Sequence, residues 1–245
     1  MLVPEAQQIR LGNELHIARA LSWVENKHPE SEELLKQLNG ESKVIGITGP
    51  PGAGKSTLVN ALVTQLNELN QRIAILAVDP TSAFNFGSLL GDRLRMQNLF
   101  MEEHVFIRSV SSRGSLGGLS AHIIEMIEVL KHANFDYIIV ETVGVGQSEV
   151  EIAGIADTTV VVTVPESGDE IQALKSGIME IADIFVVNKS DREGSDAFVT
   201  ALKRASHMKN RDHETPVLKT IASENKGIDD LISSVDAHLQ SSRYN

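Results

Sequence analysis

From Lys43 onward the chain alternates short, almost unbroken apolar runs with longer stretches of helical periodicity. The runs Val44–Thr48, Ile73–Asp79, Val105–Ser109, Tyr137–Thr142, Thr158–Val164, Ile184–Asn188 and Val217–Ile221 predict strands. Most of them lack the in–out alternation of a strand with one wet face, so they read as strands buried on both faces of a parallel sheet. Ser56–Asn67, Leu119–His132 and Ile228–Leu239 predict helices between them. This alternation predicts an α/β fold: a doubly wound, mostly parallel sheet of about seven strands with helices on both faces and ligands at the strands' carboxyl ends.

The first forty residues read differently. They are polar and amphipathic, with Leu11, Leu15, Ala18, Leu21 and Ser22 at helical spacing. Pro29 interrupts, Glu32–Leu38 resumes a helix, and Asn39-Gly40 closes it. The expected organisation is a helical extension over 1–40 packed on a nucleotide-binding domain over 41–245. No internal repeat or low-complexity linker divides the chain.

Two motifs carry the chemistry. Gly49-Pro-Pro51-Gly52-Ala53-Gly54-Lys55-Ser56-Thr57 matches G-x-x-x-x-G-K-[ST], with a predicted strand before it and a helix after it. Gly52 and Gly54 let the backbone curl around phosphate, and the helix N-terminus adds its positive dipole end. Lys55 is expected to reach the β- and γ-phosphates and Ser56 to ligate Mg²⁺. Asn188-Lys189-Ser190-Asp191 follows another buried run. Asp191 can accept two hydrogen bonds from the ring N–H and amine of guanine, and adenine has no such donor pair. Binding adenine there leaves a carboxylate unpaired at a cost of roughly 1–3 kcal/mol or more. Lys189 is expected to lie along the base, and the Ala222 backbone N–H to meet the guanine carbonyl. Asp79, Asp92 and Glu141 offer hard oxygens of the kind Mg²⁺ prefers, although each alone could be a helix cap or a surface charge. Glu141-Thr-Val-Gly144 stands where most GTPases carry Asp-x-x-Gly, with the Gly144 N–H placed to sense the γ-phosphate. GTP or GDP with Mg²⁺ is the expected ligand set.

Composition narrows the field. The 245 residues hold no cysteine, which excludes disulfides and thiolate metal sites and fits a cytoplasmic chain. A net charge of −11, dispersed along the chain, argues against nucleic acid and anionic membranes as partners. No apolar run approaches the roughly 18–20 residues that cross a bilayer, and Met1–Arg10 does not resemble a secretory signal.

With these motifs stand Val78-Asp-Pro-Thr-Ser82, Gly87-Ser-Leu-Leu-Gly-Asp-Arg93, Ile107-Arg-Ser-Val-Ser-Ser-Arg-Gly-Ser-Leu-Gly-Gly-Leu119, Glu141-Thr-Val-Gly-Val-Gly-Gln-Ser-Glu149 and the run from Gly168 to Asp183. Together they resemble the MeaB/ArgK-type G-protein chaperones of adenosylcobalamin-dependent acyl-CoA mutases, almost without a gap from Lys43 to Asp191; Glu rather than Asp at 141 is a mark of that family. The resemblance implies a GTPase that gates cofactor loading, or protection, of a methylmalonyl-CoA mutase-type partner. It implies a nucleotide and Mg²⁺ site built by Lys55, Ser56, Asp79, Asp92 and Glu141, and switches around Asp79–Asp92, Glu141–Glu149 and Glu166–Gly177. Two departures stand out. Pro165-Glu-Ser-Gly-Asp169 replaces the family's Pro-Gly-x-Gly-Asp, and the chain stops at Asn245, where members continue into a dimerising helical arm. A monomer, or a dimer through another surface, is therefore expected.

Intrinsic turnover is expected to be slow. Ras-like GTPases place a Gln directly after the Asp-x-x-Gly glycine to orient water, and a partner's arginine stabilises the transition state. Here Val145 takes that place, and Gln147 lies three residues past Gly144. Arg108 and Arg113 lie on a Gly-rich loop that could swing in. The expected rate alone is about 10⁻⁴ to 10⁻³ s⁻¹, with a mutase ordering the loops through Asp169 and Lys175. The bland alternative for that pair is capping and solvating the next helix. Two other readings of the chain stay open: a metallochaperone GTPase, whose Cys/His clusters are missing here, and a binding-only switch. A small-substrate kinase is disfavoured by the guanine motif.

Overall fold

A computed structural model describes residues 2–79, 97–111, 122–142, 148–165, 177–207 and 215–242. Its frame is a seven-stranded sheet of β1 (Lys43–Thr48), β2 (Ile73–Asp79), β3 (Val105–Ser111), β4 (Tyr137–Glu141), β5 (Thr158–Thr163), β6 (Ile184–Val187) and β7 (Val217–Lys219). The spatial order is β3-β2-β4-β1-β5-β6-β7, and every neighbouring pair is parallel. This is the doubly wound α/β sheet expected from the sequence. Its order reverses at β1, so the carboxyl end of β1 opens a crevice for a ligand.

Both faces of the sheet are covered. On one, Ile45, Ile47, Ile139 and Val162 pack with Leu58, Leu62 and Leu66 of α4 (Lys55–Glu68) and Leu231, Val235 and Leu239 of the last helix, Ile228–Ser242. On the other, Val44, Leu76, Ile138 and Val140 pack with Met126, Ile127 and Leu130 of α5 (Ile123–His132). Successive residues of β4 thus alternate between two apolar layers, which is why the sequence shows no polar face. Short helices α6 (Ser148–Glu151) and α7 (Ile178–Ile181), then α8 (Ser195–His207) and the last helix, α9, complete the windings. A third apolar cluster joins Val161, Phe185 and Val187 to Phe198 and Leu202 of α8.

The N-terminal helices α1 (Ala6–Arg10), α2 (Glu14–Glu25) and α3 (Ser31–Leu35) share the second layer, through Ile9, Ile17, Ala20, Leu21, Val24 and Leu34. Their register differs from the one expected. Leu11 and Leu15 are 72% and 73% exposed. Gly12, at φ +79, breaks the helix, and Asn13 starts a new one by accepting from the Leu15 N–H at 3.2 Å. The break resets the helical phase, so Ile17 and Val24 join the expected Leu21 in the buried stripe. The strand ends also move by a residue or two: Thr142, Val164 and Asn188 follow their strands, and β3 continues to Ser111.

Candidate functional site

At the carboxyl end of β1 the backbone turns at Gly49, with φ +134, where an added Cβ would stand 2.0 Å from the Val162 carbonyl oxygen. The loop enters α4 through Gly54, left-handed at φ +88 and close against Asn188. A side chain at either position would displace the loop. Around it opens a cavity of about 470 Å³ lined by Gly52, Gly54, Lys55, Ser56, Thr57, Glu141 and Lys189 among others.

Lys55 is buried, and its ammonium donates to the carbonyls of Gly49 at 2.8 Å and Pro50 at 3.1 Å. Anionic oxygens arriving in the cavity would form shorter, charge-assisted bonds with the same ammonium. Ser56 Oγ donates to Glu141 Oε1 at 2.7 Å, and Glu141 is 8% exposed. A hydroxyl and a carboxylate so placed are a fitting oxygen pair for Mg²⁺, which prefers hard donors and keeps several waters. Asp79 closes β2, two residues beyond Ala77, the register partner of Glu141.

The guanine motif is tied to the phosphate loop from the other side. Asn188 is 2% exposed; its Nδ2 donates to the Ala53 carbonyl at 2.9 Å. Its Oδ1 accepts from Thr220 Oγ1 and from the Ala222 N–H, both at 3.1 Å. Lys189, with φ +53, reaches back to the Gly52 carbonyl at 2.8 Å. Asp191 is exposed. Its charge adds to the nearer hydrogen bond and charge of Glu224 in holding Lys226 above the usual lysine range. One buried Asn thus fastens three segments that a nucleotide must touch together.

The Ala222 N–H, expected to face the guanine carbonyl, donates to Asn188 Oδ1 here. One expectation needs correction. Arg108 does not lie on a loop: it is within β3, and its guanidinium meets Glu25 of α2 at 2.6 Å and Ser22 Oγ at 3.3 Å. It shares a strand face with Phe106 and Val110, which pack toward the N-terminal helices, so alternation aims it away from the phosphate loop. Asp92, Arg113, Gly144, Gln147, Asp169 and Lys175 lie outside the described residues. Sequence reasoning overlooked the hydroxyls Thr48, Thr142 and Thr220. The available signal was their position, each a Thr at the end of an apolar run.

The family described as "Methylmalonyl Co-A mutase-associated GTPase MeaB" matches residues 17–245. GTPase ArgK of Escherichia coli is 37% identical over 243 residues, covering 94% of this chain and 73% of its own length. A solved LAO/AO transport system kinase superposes with a TM-score of 0.78 at 30% identity, over 100% of this chain and 82% of that one. The hydrogenase maturation factor HypB from Archaeoglobus fulgidus superposes with a TM-score of 0.60 at 18% identity, over 91% and 99%, a likeness of fold alone. Sheet order, phosphate loop, guanine motif and this match over most of the chain agree: the protein is a GTPase that belongs to the MeaB family.

Proposed function

We propose that the chain is a Mg²⁺-dependent GTPase that acts as a chaperone of an adenosylcobalamin-dependent acyl-CoA mutase of the methylmalonyl-CoA type. In this role nucleotide state gates cofactor loading or protection of the mutase. The observation that carries the enzymatic half is the single cavity wall shared by Lys55, Ser56 and Glu141, with Asn188 joining it to the guanine motif. The partner half rests on the family, whose description names a mutase association.

In this reading Lys55 exchanges the carbonyls of Gly49 and Pro50 for β- and γ-phosphate oxygens and balances their charge. Ser56 and Glu141, joined by Asp79 and Asp92, would hold Mg²⁺, which would supply positive charge against that developing on the phosphates. Asp191 reads guanine, and Lys189 flanks it. Gly144 and Gln147 sense the γ-phosphate and the attacking water, while Asp169 and Lys175 carry the partner's contact.

Among the described residues no helix is long and apolar enough to cross a membrane, and no cluster of three metal-binding side chains occurs. The metallochaperone alternative shares the fold through HypB but finds no cysteine here. Single-turnover GTP hydrolysis, measured with and without a purified methylmalonyl-CoA mutase, tests the proposal. The expected rate alone is about 10⁻⁴ to 10⁻³ s⁻¹, rising at least about tenfold with the mutase. Equal rates with and without it would remove partner gating, and no phosphate release in either case would leave a binding-only switch.

A further inference from the structure

Strands β1 and β4 run side by side with Ile47 opposite Glu141. One residue further on, just past the end of β4, the Thr142 N–H donates to the Ile47 carbonyl at 3.0 Å. Thr142 Oγ1 donates to Thr48 Oγ1 at 2.8 Å. Thr48 is 0% exposed and Thr142 1%. Hydroxyls sealed this deeply need partners within the protein, and these two find each other.

Where the bridge sits gives it a use. Ile47 and Ile139 face α4, whereas Ile138 and Val140 face α2 and α5. By the same alternation Glu141 projects toward α4, where it meets Ser56, and Thr142 projects to the opposite layer. The peptide between them is therefore gripped from both faces of the sheet. Rotating it would swing the Glu141 carboxylate off Ser56. Thr48 is also the residue before Gly49, whose backbone has no room for a Cβ, and Thr142 is the residue before the loop that leads to Gly144. The bridge joins the roots of both loops. An apolar pair of the same size would fill the space without fixing direction.

We propose that Thr142 is a positioning residue for GTP hydrolysis: through Thr48 it locks the root of the Glu141–Gly144 loop to the root of the phosphate loop. Thr142 is among the residues that line the cavity, but its hydroxyl is spent on Thr48, and its part is to set the orientation from which Glu141 acts. The inference rests on the hydrolytic reading above.

The test uses the full chain and four variants: Thr142→Val, Thr142→Ser, Thr48→Val and the double Val variant. Each is measured for single-turnover GTP hydrolysis across a Mg²⁺ titration, for affinity toward a fluorescent GDP analogue, and for thermal melting. Misplacing a catalytic group by about 1 Å costs up to about a hundredfold, so Thr142→Val is expected to slow hydrolysis at least about tenfold. The Mg²⁺ concentration for half-maximal rate should rise, while GDP affinity stays within about twofold, since GDP presents no γ-phosphate to the displaced loop. Thr142→Ser keeps the hydroxyl and should recover most of the rate. The double variant should be no slower than Thr142→Val, because the bridge is lost only once. It also leaves no orphaned hydroxyl, so it reports on the bridge even if the single variant folds poorly. Parental hydrolysis by the folded double variant, or a Ser variant as slow as the Val variant, would overturn the proposal. A parent that binds GDP but never releases phosphate would instead overturn the hydrolytic reading.

Discussion

At the amino end of the sheet, Lys43 donates to Tyr137 Oη and Asp236 Oδ1, both at 3.0 Å, and Tyr137 donates to the same carboxylate at 2.8 Å. At the carboxyl end, Lys55 donates to the backbone carbonyls of Gly49 and Pro50. The first lysine shares a closed triad with a fixed carboxylate that ties β1 and β4 to α9. The second bonds the carbonyls of a loop that a Cβ would disrupt. The rest of each end follows suit. Asp157 caps the Val44 N–H, and Asp183 caps the Thr159 N–H. His238 of α9 meets Thr158 Oγ1 at 2.8 Å. At the carboxyl end, the left-handed backbones of Gly52, Gly54 and Lys189 line the cavity. Polar groups at one end finish the fold, and those at the other can exchange partners for a ligand.

The sharpest way to break this contrast is to remove each lysine in turn. Lys55→Ala should lower single-turnover GTP hydrolysis on the order of a hundredfold or more. Lys43→Ala should leave it within about twofold and act on the melting temperature instead, by an amount worth about 1 kcal/mol or less for a pair this exposed. Equal losses of activity would erase the distinction between the two ends.

A smaller effect is expected at the N-terminal helices. The Arg108–Glu25 pair is partly buried, with side chains 26% and 12% exposed. Arg108→Ala strands Glu25 and should destabilise the fold by about 1–3 kcal/mol in urea titration. Hydrolysis per folded molecule should stay unchanged. A specific loss of turnover would return Arg108 to the site.

The smallest effect is in pH. Burial opposes the charge on Lys43, but its hydrogen bonds to Tyr137 and Asp236 outweigh burial and raise its pKa. Burial raises that of Tyr137. Groups whose folded pKa lies above the unfolded value contribute stability below the unfolded pKa and lose it as pH rises through the folded one. Melting temperature should therefore fall as pH rises beyond about 10, and less steeply in Asp236→Asn. An identical slope in both would take the triad out of the amino-end clamp.

The strands and the two motifs were legible because they leave strong local traces. An unbroken apolar run bounded by Thr, Asn or Gly reads as a buried parallel strand, and glycines that must adopt positive φ at fixed spacing read as a phosphate loop. The strand ends blurred because Thr142 and Asn188 still donate their N–H groups to the adjacent strands, to Ile47 and Thr163, although each lies just past the end of its own strand. Leu11 and Leu15 misled because a single glycine, Gly12, reset the helical phase. Arg108 looked like a loop arginine because Glu25, its partner, lies 83 residues away. The bond from the Ala222 N–H to Asn188 left no trace in the sequence, since a backbone N–H has no side-chain signature. Thr48 and Thr142 were plain in the sequence, but their pairing depends on strand order, which only the folded sheet supplies.

The most direct test of the account is calorimetry of the parent protein with GDP and ADP, each with Mg²⁺. Asp191 beside the Asn188 hub predicts that GDP binds tighter than ADP by at least about a hundredfold. Asp191→Asn should lose that preference while keeping the parent's melting temperature. Comparable affinities for the two nucleotides in the parent would contradict the assignment of this end of the sheet to guanine recognition.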